Sequence, residues 1–260
     1  MTSRHDATRP GSAAVPTGTL AGRAAVVTGG CGGIGSAIAR SLAAQGATVA
    51  VVDIDHGAAA AVAAEVGGLA VAADLTDPDA PDRIVGQVLE HAGSLDVLIN
   101  AAGIQVRTAA VDVSSHDWDR LLAVNLTAAY RLTQAAVKAL SSARGSIVNI
   151  ASLSADRAVA GIVPYGATKA ALVQLTKGLA VELGPRGVRV NAVAPGYVVT
   201  PMTATLLDQP EFRERVMTRI PLGRLADGGD IADVVTFLAS DAARYMTGAL
   251  LPVDGGYSIT

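Results

Sequence analysis

Tyr165 and Lys169 stand four residues apart in Tyr165-Gly166-Ala167-Thr168-Lys169, with Ser152 thirteen positions upstream of the tyrosine. On an α-helix a four-residue step puts the phenol and the ammonium on one face. An ammonium beside a phenol favours phenolate, drawing the tyrosine down from about 10 toward the range of an acid/base catalyst. A serine hydroxyl nearby could donate a hydrogen bond to a developing oxyanion. Lysine is also scarce: Lys138, Lys169 and Lys177 are the only three, against seventeen arginines among 20 basic residues. A compact ammonium whose pKa can shift differs from a guanidinium at such a place. By itself Tyr-x3-Lys is an ordinary helix-face pair. The rest of the chain decides its meaning.

A second set lies near the start. Thr28-Gly29-Gly30-Cys31-Gly32-Gly33-Ile34-Gly35 follows a β-branched run and opens a helical pattern. Glycines there permit a tight turn and close backbone approach to a pyrophosphate, delivered to the positive end of a helix. Eighteen residues beyond Gly35 comes Asp53, at the end of the next β-branched run. A carboxylate there can accept both hydroxyls of an adenosine ribose and would repel a 2′-phosphate. No arginine or lysine follows in Ile54-Asp55-His56 to hold that phosphate. The combination predicts NAD rather than NADP. Cys31, beside a helix N-terminus, could carry a depressed pKa and be oxidisable; the plainer alternative is a small residue filling the turn.

Positioning these groups requires alternating strands and helices, and the pattern supplies them. Strands are expected at Ala24–Thr28, Thr48–Asp53, Leu69–Ala73, Leu95–Asn100, Ser146–Ala151, Val188–Ala194 and Ala249–Val253. Helices are expected at Ile34–Gln45, His56–Val66, Pro78–Ala92, His116–Ser142, Pro164–Leu183, Thr200–Arg219 and Gly229–Ser240. Strands apolar on both faces, alternating with helices, predict an α/β fold: one doubly wound domain over residues 20–260, with a seven-stranded, mostly parallel sheet covered by helices on both faces. Residues 1–19 lack an apolar signal-peptide core and read as a disordered tail.

Composition narrows the partners. Half the residues are hydrophobic and 17% are charged, in a chain of 260. No apolar run approaches the roughly eighteen residues of a membrane span. A net charge of −3 offers no basic footprint for nucleic acid. One cysteine rules out an internal disulfide and fits a reducing compartment. The four histidines are scattered without ligand spacing, so no metal is expected. A cytoplasmic protein acting on a small molecule, without nucleic acid or membrane, is the expectation.

Taken in order, the motifs resemble the short-chain dehydrogenase/reductase family over residues 20–258, which implies a Rossmann fold. The spacing Gly29-x3-Gly33-x-Gly35 is the family's phosphate-loop variant, and Ser152, Tyr165 and Lys169 match its Ser-x12-Tyr-x3-Lys active site. The resemblance implies that Tyr165 is the acid/base, that Ser152 binds the reacting oxygen, and that Lys169 holds the nicotinamide ribose. Asp74-Leu75 resembles its adenine-contacting acid segment. Asn100-Ala101-Ala102-Gly103 resembles its Asn-Asn-Ala-Gly segment, with Ala101 in place of the second asparagine. Asn125 sits inside a helical pattern where asparagine is a poor former; the resemblance implies a side chain holding a water or backbone group in a proton relay. Pro195-Gly196, with Val198 and Thr200, resembles the segment that closes over the nicotinamide. A homotetramer is implied, built through the long helices at His116–Ser142 and Pro164–Leu183. Ala167, Ala170, Ala171 and Leu175 would give the second of these a small-residue face, which could equally be core.

The substrate end is less marked. Gln105, Arg107 and Arg157 could satisfy hydroxyls and a carboxylate. Gly103-Ile104-Gln105-Val106-Arg107 and Ser152-Leu153-Ser154 resemble the gluconate and deoxygluconate dehydrogenase branch, implying a sugar acid or polyol. A 3-oxoacyl thioester, or an apolar or cyclic alcohol facing Met202, Leu206, Leu207 and Phe212, are the alternatives. A catalytically silent dinucleotide-binding protein is the reading from another class, but it would not be expected to keep both Tyr165 and Lys169.

Overall fold

Seven short strands form one parallel sheet in this computed structural model, which describes residues 18–260. The strands are β1 (Ala24–Thr28), β2 (Thr48–Asp53), β3 (Leu69–Ala72), β4 (Val97–Asn100), β5 (Ser146–Ile150), β6 (Arg189–Pro195) and β7 (Leu250–Val253), in the order β3-β2-β1-β4-β5-β6-β7. Every pairing is parallel, where one or more antiparallel strands had been allowed for. Of the tail expected at residues 1–19, residues 1–17 lie outside the described residues, while residues 18 and 19 belong to an ordered turn in which the Thr19 hydroxyl donates to Gln45 Oε1 at 3.0 Å.

Strand alternation sorts the core into two layers. Ala25, Val27, Val49, Val51, Val97 and Ile99 point to one face, where α1 (Gly33–Ala44), α2 (His56–Val66) and α9 (Gly228–Ala239) bury Ile38, Leu42, Val62, Ile231 and Leu238. Val26, Ala50, Val52 and Leu98 point to the other, against α3 (Ala80–Ala92), α5 (Ala128–Ala143) and α6 (Val163–Leu183). Burial on both sides is why these strands carry unbroken apolar runs. The chain order reverses between β1 and β4, and a doubly wound sheet opens a crevice at that point, beyond the strands' C-terminal ends.

Two predicted helices are interrupted. The stretch expected at His116–Ser142 is α4 (Ser115–Leu122), a π-turn at Ala123–Thr127 and then α5. The extra residue in that turn rotates Asn125 inward, where it is buried. The stretch expected at Thr200–Arg219 is two helices, α7 (Pro201–Leu207) and α8 (Pro210–Met217). Pro210 lacks an N–H and restricts Gln209, so the first helix ends and a second starts on the proline. Among the described residues, no helix is long and apolar enough to cross a membrane.

Candidate active site

The crevice holds two connected spaces. The larger, about 790 Å³, begins at the glycine loop. Thr28 Oγ1 accepts the Ala101 and Ala102 N–H groups at 3.1 and 3.2 Å, tying the end of β1 to the loop after β4. Gly29 (φ +62°) lies so close to that loop that a Cβ would stand 2.7 Å from Ala102 Cα. A Cβ on Gly33, at the start of α1, would stand 2.8 Å from Thr200 Cγ2. Bare backbone therefore forms the floor, as close approach of an anion to the α1 N-terminus requires. Gly29, Gly33, Ile34 and Gly35 line it, followed by Asp53 and Ile54, then Asp74 and Leu75, then Ala101, Gly103 and Thr200. His116, Asp119 and Arg120 of α4 line its far side; no sequence signal marked them, because the long crossover brings them there. A cleft with a side-chain-free cradle and a carboxylate beyond it fits a dinucleotide.

Asp53 is fixed by backbone. Its Oδ2 accepts the Cys31 N–H at 3.1 Å and its Oδ1 accepts the Asp55 N–H at 3.4 Å. Cys31 thus serves through its amide. Burial, reinforced by the charges of Asp53 and Asp55, pushes its thiol up to about 12, the opposite of the depressed value considered from sequence.

The smaller space, about 160 Å³, shares Ile34, Ala101, Gly103, Thr200 and Met202 with the larger. Ser152, Tyr165 and Lys169 line it, with Pro195, Gly196 and Val198 opposite and Gln105 and Arg107 toward solvent. Ser152 follows β5 and caps a single turn, Leu153–Ala155. Its Oγ accepts the Ser154 N–H at 3.1 Å and the Ser154 hydroxyl at 3.0 Å. With both lone pairs used, its own proton remains to be donated, and it faces the Tyr165 phenol closely enough to favour the phenolate. Gly166 lets α6 approach this turn, since a Cβ there would stand 3.0 Å from the Ser154 carbonyl oxygen. Ser154 was not singled out in the sequence: its role depends on the tight turn, which has no marker beyond two serines at a two-residue step.

Lys169 is buried one turn along α6. Its Nζ donates to the Ile150 carbonyl at 2.7 Å and lies 5.7 Å from the centre of the Tyr165 ring. The expected depression of the tyrosine is reversed in the protein alone. Burial pushes the phenol up to about 12, partly offset by Ser152, and pushes the ammonium down to about 8. Removing both groups from water penalises phenolate and ammonium alike, and here that outweighs their mutual attraction.

Asn125 holds a backbone group, one of the two options its position had suggested. Its Oδ1 accepts the Ile104 N–H at 2.8 Å, and its Nδ2 donates to the Ile104 carbonyl at 3.0 Å and to Thr168 Oγ1 at 3.1 Å. It thereby fixes the Gly103–Ile104 loop against α6. Asn100 lies away from both spaces, contrary to its expected place at the cofactor. Its Nδ2 donates to Asn149 Oδ1 at 2.8 Å, because the β4–β5 pairing turns it into the core. Arg157 is exposed and outside the lining.

A doubly wound sheet with a glycine-floored cleft, joined to a serine–tyrosine–lysine chamber, defines an oxidoreductase of the nicotinamide-dinucleotide type. Comparison with known proteins narrows the class. Residues 29–258 match the family model described as Enoyl-(Acyl carrier protein) reductase. The 3-oxoacyl-(acyl-carrier-protein) reductase of Thermotoga maritima is 41% identical over 187 residues, 72% of this chain and 75% of that protein. Gluconate 5-dehydrogenase of Gluconobacter oxydans is 39% identical over 188 residues, 72% of this chain and 73% of that protein. A solved structure described as a short-chain alcohol dehydrogenase of Sinorhizobium meliloti 1021 superposes with a TM-score of 0.90 at 39% identity, covering 94% of this chain and 100% of that one. The chain belongs to the short-chain dehydrogenase/reductase family and is an oxidoreductase.

Proposed function

We propose that the protein interconverts a secondary alcohol and a ketone with NAD(H), Tyr165 acting as acid/base. The observation that carries this is the set of half-buried Ser152 with buried Tyr165 and Lys169, on the wall next to the glycine-floored cleft. Gly29, Gly33, Ile34 and Gly35 would hold the pyrophosphate, Asp53 and Ile54 the adenosine ribose, Asp74 and Leu75 the adenine. Lys169 and the Pro195-Gly196, Val198 and Thr200 segment would hold the nicotinamide half, which supplies the hydride acceptor. Ser152 donates its one free proton to the substrate oxygen and holds it against the phenol. In oxidation the Tyr165 oxygen takes the hydroxyl proton as the carbonyl forms, and in reduction it returns it. The Lys169 ammonium supports the phenolate at that moment, when a buried negative charge would otherwise stand alone. Asn125 fixes the loop across which Lys169 meets the cleft: a Cβ on Gly103 would stand 3.4 Å from Lys169 Nζ and 3.5 Å from Asn125 Oδ1.

The substrate class we propose is a hydroxylated small molecule, a sugar acid or other hydroxy acid ahead of an uncharged polyol; Gln105 and Arg107 in the chamber lining and the gluconate 5-dehydrogenase relative support it. A second reading, reduction of a 3-oxoacyl thioester, is favoured by the 3-oxoacyl reductase relative. Paired NAD and NADP rate measurements over sugar acids, polyols, secondary alcohols and β-hydroxyacyl thioesters test both. NADH formed from the first three classes supports the proposal; turnover of the thioester alone, with NADP, would overturn it.

We further propose a cytoplasmic homotetramer joined through α4–α5 and α6. Ala167 and Ala170 are exposed rather than core, and Trp118, Tyr130, Val163 and Val181 are exposed apolar neighbours on the same helices. Sedimentation should give about four times the 26.1 kDa chain mass; a monomer alone would refute it.

A further inference from the structure

The smaller chamber has a chemistry that divides the hydroxy acids. Leu153, Val159, Ile162, Met202 and Leu206 give it hydrocarbon walls. Its volume is about 160 Å³, and it must also receive the nicotinamide end against Pro195, Gly196 and Val198, so only a compact substrate body fits. Most polar groups on the wall are already committed. Thr203 donates to Val198 and Thr200 carbonyls, and Thr200 Oγ1 bonds Thr203 Oγ1 at 3.0 Å. The Tyr197 ring is held edge-on by Phe212 and Tyr257 at 5.7 and 5.2 Å.

Arg107 is the exception. Its side chain runs along the Gly161 backbone, with Cγ and Nη1 each 3.7 Å from where a Gly161 Cβ would be. That loop is braced by the Thr108 N–H donating to the Gly161 carbonyl at 2.9 Å. Among the described residues the guanidinium has no carboxylate within ion-pair distance and no hydrogen bond. Arg215, stacked 5.0 Å over the Phe212 ring, adds a second positive charge felt at the Tyr197 phenol, as Arg107 is. Arg215 itself lies outside the chamber lining, so Arg107 is the one guanidinium on that wall, a local positive charge that draws anions on a chain of net charge −3.

We propose that the substrate is a compact hydroxy acid with a hydrocarbon body of about six carbons, such as an alicyclic ring, its carbinol at Ser152 and Tyr165 and its carboxylate on Arg107. This rests on the reading of Tyr165 and Ser152 as the carbinol site and chooses among the substrates that reading allows. A polyhydroxylated body of the same length would set several hydroxyls against Leu153, Val159 and Ile162, with Gln105 and Tyr197 the side chains left to pair them. Each hydroxyl buried without a partner gives up its hydrogen bonds to water with nothing in return. A ring meets the same walls without that penalty, and a planar guanidinium matches a carboxylate in two parallel hydrogen bonds.

The test uses the full chain with NAD and four probes: 4-hydroxycyclohexanecarboxylate, its carboxamide, cyclohexanol and gluconate. The wild type should prefer the acid over its carboxamide by about 100-fold in kcat/KM, and over gluconate by more than tenfold. Arg107→Gln should cut the acid-to-carboxamide ratio below about fivefold, with Arg107→Lys between the two. A melting-temperature rise with cyclohexanecarboxylate but not cyclohexanecarboxamide, lost in Arg107→Gln, gives a readout independent of turnover. Equal rates on acid and carboxamide, a ratio unmoved by Arg107→Gln, or gluconate as the better substrate would overturn the inference alone. No NADH from any probe would overturn the dehydrogenase reading and the inference together.

Discussion

Replacing Asp53 by Asn keeps the shape of the side chain and removes its charge. The carboxylate is partly exposed at the end of β2, held by the Cys31 and Asp55 amides; asparagine keeps one acceptor oxygen for the 3.1 Å Cys31 contact and gives up the longer 3.4 Å contact to Asp55. A 2′-phosphate carries about 1.5–2 negative charges. At about 5 Å and an effective dielectric of about 40, each charge costs about 1.7 kcal/mol against the carboxylate. After allowance for solvent and salt screening about 2 kcal/mol remains, or about 30-fold in favour of NAD. On the other side, ribose hydroxyls lose a charged acceptor, worth about 1.5 kcal/mol or about tenfold. Asp53→Asn should therefore shift the NAD-to-NADP ratio of kcat/KM by about 300-fold, with NAD weakened and NADP improved. Initial rates with each cofactor, on one substrate and at fixed ionic strength, measure it. A wild type that uses NADPH as well as NADH, or a variant ratio within threefold of wild type, would refute the reasoning.

Other expectations concern the buried groups. Lys169 titrates near 8 in the fold against an ordinary 10.5, so between those values the unfolded chain binds the extra proton and stability rises with pH. Relative to Lys169→Met, the wild type should gain about 1–2 kcal/mol between pH 8 and 9.5 in urea titrations; parallel curves would show that the ammonium is not destabilised. Tyr165, raised to about 12, works oppositely and only above pH 10, which is why the window stops short of it. Ser154→Ala removes one of two donors to Ser152 Oγ, so kcat should fall about three- to tenfold with KM little changed. Ser154→Thr should restore it, and equal loss in both variants would argue for a packing effect instead.

The strands and most helices were legible because burial on both faces leaves a plain mark, the β-branched run between helical stretches. The glycine loop and Asp53 were legible because their backbone geometry restricts residue type. What escaped depends on three dimensions. The π-turn at Asn125 shifts one residue without altering the apolar period of Ala123-Val124-Asn125-Leu126-Thr127. The break before α8 did carry a signal, Pro210, which the apolar spacing of Leu206, Leu207 and Phe212 masked. Asn100 was placed at the cleft by its motif, yet the β4–β5 register turns it into the core. The sequence gives Tyr165 a lysine neighbour but not the burial, so the direction of its pKa was misjudged.

Tyr165→Phe tests the proton-transfer role most directly, because it removes one oxygen from a buried ring and leaves the cleft untouched. NAD binding, followed by calorimetry, should stay within about threefold of wild type, while kcat for alcohol oxidation falls by at least about 1,000-fold, in the range general acid/base groups contribute. A variant that binds NAD and keeps a kcat within tenfold of wild type would contradict the assignment of Tyr165 as the acid/base.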